Sequence, residues 1–177
     1  MLAVIGGSGL TQLANLEITH RRIVRTPYGE PSGPLTVGRI GSQEVVFLAR
    51  HGYGHTLAPH EVNYRANLWA LQDKGVTRVI AVCSVGGIAA ELAPGTIALP
   101  DQIIDYTWGR PATFFEGAEQ PVTHIDFTDP YDESARRLVI AAAKDAGVAV
   151  SPGGTYAATQ GPRLETKAEI DRLERDG

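Results

Sequence analysis

The chain has 177 residues, enough for one domain of ordinary size with a real core, and its 16 Lys+Arg against 20 Asp+Glu give a formal net charge of -4. That mild acidity argues against a nucleic-acid backbone or an anionic membrane as the main partner, but not against a small anion held by a few cations and backbone amides. The single cysteine, Cys83, excludes an internal disulfide and a structural metal site built on thiolates.

The first residues, Met1-Leu2-Ala3-Val4-Ile5, lack the basic start and long apolar stretch of a signal peptide, and no apolar run is long enough to span a bilayer. A soluble cytoplasmic protein is the expectation. Residues 2–5 end in Gly6-Gly7-Ser8-Gly9, which predicts a buried strand running into a glycine loop. Residues 18–25 and 35–40 are rich in β-branched side chains and flank a loop with Pro27, Gly29, Pro31 and Gly33. Gly41-Ser42 then turns the chain into a strand over 44–49, so a β-meander is expected.

Val62, Ala66, Trp69 and Ala70 recur at helical spacing within 62–74, and Gly75 supplies a stop. Residues 78–82 predict a second buried strand, followed by Ser84-Val85-Gly86-Gly87 as another glycine loop. Pro94-Gly95 turns into a strand over 96–99. Asp132 caps a helix over 132–146 whose apolar face is Ala135, Leu138, Val139 and Ala142, with Gly147 ending it. A strand is expected over 154–159, and Thr166-Lys-Ala-Glu169 is a capping box opening a last helix that Gly177 would end. No repeat or linker interrupts the sequence, so residues 1–177 read as a single domain. The predicted class is α/β, a mixed central β-sheet with flanking helices.

Four segments can carry chemistry. Gly6-Gly7-Ser8-Gly9 lets backbone approach an anion, and the Ser8 hydroxyl can donate to a phosphate oxygen. It matches neither the dinucleotide fingerprint, since Gln12 stands where a last Gly or Ala belongs, nor a P-loop; a plain glycine turn is the other reading. In Arg50-His51-Gly52-Tyr53-Gly54-His55 a strand delivers a planar donor fork suited to phosphate, and His51 and His55 sit at the same mouth. Two histidines four apart also suggest a metal, but no third ligand is placed for one. Cys83-Ser84 makes a third donor cluster at a strand end, with Cys83 read as a small buried thiol rather than a nucleophile. Three such clusters suggest one shared anion site at the ends of a sheet's strands. Lastly, Gln160-Gly161-Pro162-Arg163-Leu164-Glu165 offers an apolar side chain and a carboxylate just before a helix. Either Glu165 helps cap that helix, or it accepts from a heterocycle's ring N–H while Leu164 packs on its face.

These pieces in this order resemble the methylthioadenosine phosphorylases and their purine nucleoside phosphorylase relatives. The resemblance rests on Ile5-Gly-Gly-Ser-Gly-Leu10, Ala49-Arg-His-Gly52, His55-Thr56 and Val62-Asn-Tyr-Arg-Ala-Asn-Leu-Trp-Ala-Leu71. It continues through Pro94-Gly95, Asp101-Gln102, Asp105, Arg110-Pro111, Phe114-Phe115, Gly117 and Gly161-Pro162-Arg163, and so covers essentially all of the sequence. It implies a nucleoside phosphorylase-like fold and reversible phosphorolysis of a purine nucleoside, with phosphate as co-substrate and no cofactor or metal. Ser8, Arg50, His51, Cys83 and Ser84 would hold phosphate, and Leu164, Glu165 and His55 would face the nucleoside. His124 lines up with a histidine that reaches the 5' pocket of a neighbouring subunit, implying a homotrimer. Further strands and a closing helix are expected after residue 177, so the resemblance implies a domain incomplete at its C-terminal end.

Glu165 bears on the base. Adenine-specific members resemble Gly-Pro-Arg-Phe followed by a serine, whereas the 6-oxopurine enzymes place a glutamate there. A carboxylate accepts from the N1–H of hypoxanthine, but would face adenine's N1 acceptor unpaired at a cost of roughly 1–3 kcal/mol. With a phosphate loop like the methylthio branch, the combination implies phosphorolysis of methylthioinosine, with no residue required as nucleophile. The alternatives are a methylthioadenosine phosphorylase in which Glu165 serves only the helix, and a broad inosine/guanosine phosphorylase. A non-catalytic nucleoside- or phosphate-binding domain is the alternative of another class.

Overall fold

A computed structural model describes all 177 residues, in two compact units. Met1–Val85 with Arg110–Glu119 make the first, and Gly86–Gly109 with Gln120–Gly177 make the second.

The first unit is built on strands β1 (Leu2–Gly6), β2 (Glu17–Arg22), β3 (Leu35–Ile40), β4 (Gln43–Ala49) and β5 (Arg78–Ala81), with helix α1 (Tyr64–Asp73). The strands form one sheet in the order β2-β3-β4-β1-β5. β2, β3 and β4 are the expected antiparallel meander, whereas β1 runs parallel to both β4 and β5. The sheet is therefore mixed, as anticipated. Residues 35–38 of β3 and 45–49 of β4 are buried at successive positions, so both faces are covered there, and Val45-Val-Phe-Leu-Ala49 is accordingly apolar throughout. Leu35, Val37, Val46 and Leu48 meet Ala3, Ile5, Ala70 and Leu71 in the core.

Helix α1 begins at Asn63, whose side chain accepts from the Ala66 N–H, and turns Ala66, Asn67, Ala70 and Leu71 inward. Val62, included in the predicted helical face, precedes the cap; it is buried all the same. Gly75 takes φ +87° after the last turn, Val76 N–H donates to the Leu71 carbonyl and Gly75 N–H to that of Gln72. That Schellman closure needs a left-handed residue, which is why a glycine stops the helix there.

The second unit contains β6 (Ala98–Leu99) paired in parallel with β8 (Ser151–Pro152), and β7 (Gln102–Asp105) paired in parallel with β9 (Thr155–Ala158). Helix α2 (Glu133–Asp145) is capped by Asp132, and α3 (Lys167–Asp176) opens on the predicted capping box of Thr166 and Glu169. Arg136 ties α2 to the β6–β7 connection through the carbonyls of Pro100 and Leu99. Tyr106, just past β7, donates its hydroxyl to Asp176 at 2.6 Å, binding α3. No helix is long and apolar enough to cross a membrane.

Two sequence expectations are corrected, and one strand was not foreseen. Residues 78–82 were expected to be a buried strand, but β5 is the edge of its sheet, with β1 as its one neighbour, and Val79 and Val82 are exposed. Leu138 and Ala142 were placed on the apolar face of α2, yet both are exposed; the less exposed face runs through Ala135, Val139, Ile140 and Ala143. The strand over 102–105 was not predicted at all, because Gln102-Ile-Ile-Asp105 is too short for periodicity to separate from a loop.

Candidate active site

β4, β1 and β5 lie side by side and parallel, so the three loops that leave their C-terminal ends emerge together. The register sets Gly6 beside Ala49 and Ile5 beside Ala81. The fold therefore delivers Gly7-Ser8-Gly9, Arg50-His51 and Cys83-Ser84 to one end of one sheet, although Ser8 and Ser84 are 76 positions apart. Backbone bonds lock the exits: Arg50 N–H donates to the Gly6 carbonyl at 2.9 Å, and Val82 N–H to that of Ile5 at 2.9 Å.

Arg50 occupies the middle of this cluster. Its Nε donates to Nε2 of His51 at 3.3 Å, and its Nη1 lies 3.4 Å from the Val82 carbonyl and 3.6 Å from Sγ of Cys83. Gly7 makes room for it, since a Cβ there would fall 2.2 Å from Nη2 of Arg50 and 2.8 Å from the Val82 carbonyl. Ser84 donates its hydroxyl to the Ser8 carbonyl at 3.1 Å, tying the first loop to the third. Ser8, Cys83 and Ser84 are exposed, Arg50 is half-buried and His51 is buried. Cys83 is thus not the buried thiol expected from sequence: an edge strand leaves its end open to solvent.

Sequence reading missed the backbone partners of this cluster, the carbonyls of Leu57 and Val82, for which no residue type signals. His51 Nδ1 and the Leu57 carbonyl are 2.8 Å apart, and the turn between them is closed by Thr56 and Leu57 N–H groups donating to the His51 carbonyl. Burial first, then the positive charge of Arg50 and the neighbouring His55, hold the His51 imidazole below its usual value against the opposing Leu57 hydrogen bond. His55 joins the group with its ring centroid 5.0 Å from that of His51, on a backbone with φ +51° that few non-glycine residues adopt.

The remaining candidates lie in the second unit. Leu164 and Glu165 sit on the loop between β9 and α3, Leu164 85% exposed and Glu165 half-buried. The cap of α3 does not use Glu165. Thr166 Oγ1 accepts from the Glu169 N–H at 3.2 Å, and Glu169 accepts from the Thr166 N–H at 2.7 Å. Arg163 grips Glu169 with both terminal nitrogens, at 2.7 and 2.8 Å, and these contacts pull the Glu169 carboxyl down to about 2. His124 lies in an exposed stretch without regular structure, near the exposed side chains of Val122, Ile125 and Phe127.

Chemically, the first unit offers a cation fork, two hydroxyls, a thiol and glycine-lined backbone at one strand end, a setting for a small multivalent anion. The second offers a carboxylate that the helix cap does not use, whose charge acts on Arg163, beside an exposed apolar side chain.

A family model described as the phosphorylase superfamily matches residues 1–177. The chain is 57% identical over 99% of its length to a Xanthomonas campestris protein named probable S-methyl-5'-thioinosine phosphorylase, of which it spans 70%. It is 48% identical over 96% of its length to the 6-oxopurine nucleoside phosphorylase of Pyrococcus furiosus, spanning 64% of that protein. Its fold is similar, with a TM-score of 0.94 and 33% identity, to methylthioadenosine phosphorylase from Schistosoma mansoni in complex with adenine, the match covering 99% of this protein and 70% of that one.

Proposed function

The chain belongs to the phosphorylase superfamily, and we propose that it cleaves S-methyl-5'-thioinosine with phosphate, giving hypoxanthine and 5-methylthioribose 1-phosphate. The observation that carries the choice of base is the position of Glu165. Its carboxylate stands outside the capping box of α3, which Thr166 and Glu169 complete between them. It is therefore available to accept from the N1–H of a 6-oxopurine, with Leu164 against the ring. The names of the relatives from Xanthomonas campestris and Pyrococcus furiosus support the same class of base.

Ser8, Arg50, His51, Cys83 and Ser84 hold phosphate in this reading. A bound phosphate attacks the anomeric carbon as the bond to the purine nitrogen breaks, and the electrons of that bond leave with the base. Phosphate supplies both the nucleophile and the counter-charge to an oxocarbenium-like sugar, so the protein's work is positioning and electrostatics. His55 faces the nucleoside, and His124 reaches the 5' pocket of a neighbouring copy in a homotrimer. Residues 1–177 act as one nucleoside phosphorylase domain.

The test is release of free base from methylthioinosine and methylthioadenosine in the presence of phosphate. Hypoxanthine from the first at a rate well above adenine from the second is the expected result. Faster release of adenine would reject the assignment of Glu165.

A further inference from the structure

The loop that leaves β4, residues 50–57, is closed on itself. Thr56 and Leu57 N–H groups donate to the His51 carbonyl at 3.0 and 3.2 Å, and His55 N–H donates to the Gly52 carbonyl at 3.1 Å. The His51 imidazole adds its bond to the Leu57 carbonyl at 2.8 Å. A short loop tied this densely to itself moves as one body. It carries Arg50 and His51 at its start and His55 near its end. Both ends are fixed. Arg50 N–H donates to the Gly6 carbonyl at 2.9 Å, and just past the loop the Pro59 carbonyl accepts from the Tyr64 hydroxyl of α1 at 2.8 Å. A body held at its ends can still swing about the line between them, and a contact away from that line is what removes the freedom.

Tyr53, in the middle of the loop, makes such a contact. Its hydroxyl donates to the Pro34 carbonyl at 3.2 Å and is bonded to the hydroxyl of Thr36, a buried residue of β3. A phenol has one proton to give, so with Pro34 taking it the Thr36 hydroxyl is the donor to Tyr53. The Tyr53 ring passes over Gly33, where an added Cβ would sit 3.6 Å from two ring carbons, and the Arg21 guanidinium of β2 lies 5.0 Å from its centroid. One side chain thus ties the loop to β2, to β3 and to the turn before β3, all within the first unit. From these contacts we infer that Tyr53 is a positioning residue. By pinning the loop to the meander it fixes where His51 and His55 are presented and, through the bond from Arg50 to His51, where the Arg50 fork points. The inference rests on the reading that Arg50 and His51 hold phosphate and His55 faces the nucleoside.

The experiment compares Tyr53→Phe, the double variant Tyr53→Phe with Thr36→Val, and Arg50→Lys in the purified protein, measuring urea midpoints and the KM for phosphate and for methylthioinosine. Tyr53→Phe keeps the ring but leaves the Thr36 hydroxyl buried without a partner, so its urea midpoint should fall. Adding Thr36→Val removes that stranded hydroxyl, and the midpoint should recover toward the parent value. The anchor is missing in both. The expected result is therefore that both KM values stay raised about fivefold in either variant, the change that matches one neutral hydrogen bond of average net worth. Stability recovers while positioning does not. KM values that recover together with the midpoint in the double variant would overturn the inference and leave Tyr53 a packing residue. KM values unmoved by Tyr53→Phe, beside a phosphate KM strongly raised by Arg50→Lys, would overturn the positioning role alone. A phosphate KM unmoved by Arg50→Lys would overturn it together with the phosphate reading.

Discussion

Arg50 and His51, consecutive in the sequence, hold each other through a nitrogen-to-nitrogen hydrogen bond, Arg50 Nε to His51 Nε2 at 3.3 Å. A guanidinium can only donate, so Nε2 of His51 must accept and the proton must sit on Nδ1, which donates to the Leu57 carbonyl. The imidazole is therefore neutral, in agreement with the downward pressure that burial and Arg50 place on it.

The first prediction follows from that protonation state. A histidine whose folded value lies below its ordinary 6.5 binds fewer protons folded than unfolded in the window between the two. His51 thus contributes stability that is fully present above about pH 6.5 and is lost as pH falls through the folded value. Urea midpoints measured from pH 8 to pH 5 should fall on the acid side, and more shallowly in His51→Asn. Equal slopes in both proteins would show that Nε2 is not held as an acceptor.

Arg50→Lys keeps the charge but loses the fork that spans His51, Val82 and Cys83. A lost charge-assisted hydrogen bond of about 1.5–3 kcal/mol corresponds to a KM for phosphate raised tenfold or more. The KM for nucleoside should move much less. A lysine variant with unchanged phosphate KM would remove Arg50 from the anion site.

Gly7→Ala tests the space that Arg50 occupies. The new methyl group would lie 2.2 Å from Nη2 and 2.8 Å from the Val82 carbonyl, so the arginine and the β5 exit must both shift. Overpacking of this kind costs about 1–3 kcal/mol, and phosphate binding should weaken with it. Gly86→Ala is the control, because a Cβ there meets nothing within 4 Å. Urea unfolding and phosphate KM of the two variants should separate cleanly.

Glu165 and Thr166 are neighbours with separable roles. Thr166→Ala removes the cap of α3 and should cost about 1 kcal/mol of stability, as N-cap truncations do. Glu165→Gln leaves both cap bonds in place, so its urea midpoint should stay near that of the parent protein while hypoxanthine release drops at least tenfold. A stability loss in Glu165→Gln matching that of Thr166→Ala would return Glu165 to the helix.

Much of this was legible in the residues themselves. The strands over 35–40 and 44–49, the caps at Asp132 and Thr166, and the glycine stops depend on contacts within a few positions, so local pattern carries them. The glycine loop, the Arg50-His51 pair and Cys83-Ser84 were each visible as strand-end donors for the same reason. Sequence could not say that β5 is an edge strand, or that Cys83 consequently stands exposed, because exposure depends on what packs against a strand. Nor could it show that Arg65 holds Thr113 and Glu116, some fifty positions away. Tertiary structure alone decided which donors converge. The parallel register of β4, β1 and β5 brings three distant loops to one sheet end, and that register is set by packing between strands remote in sequence.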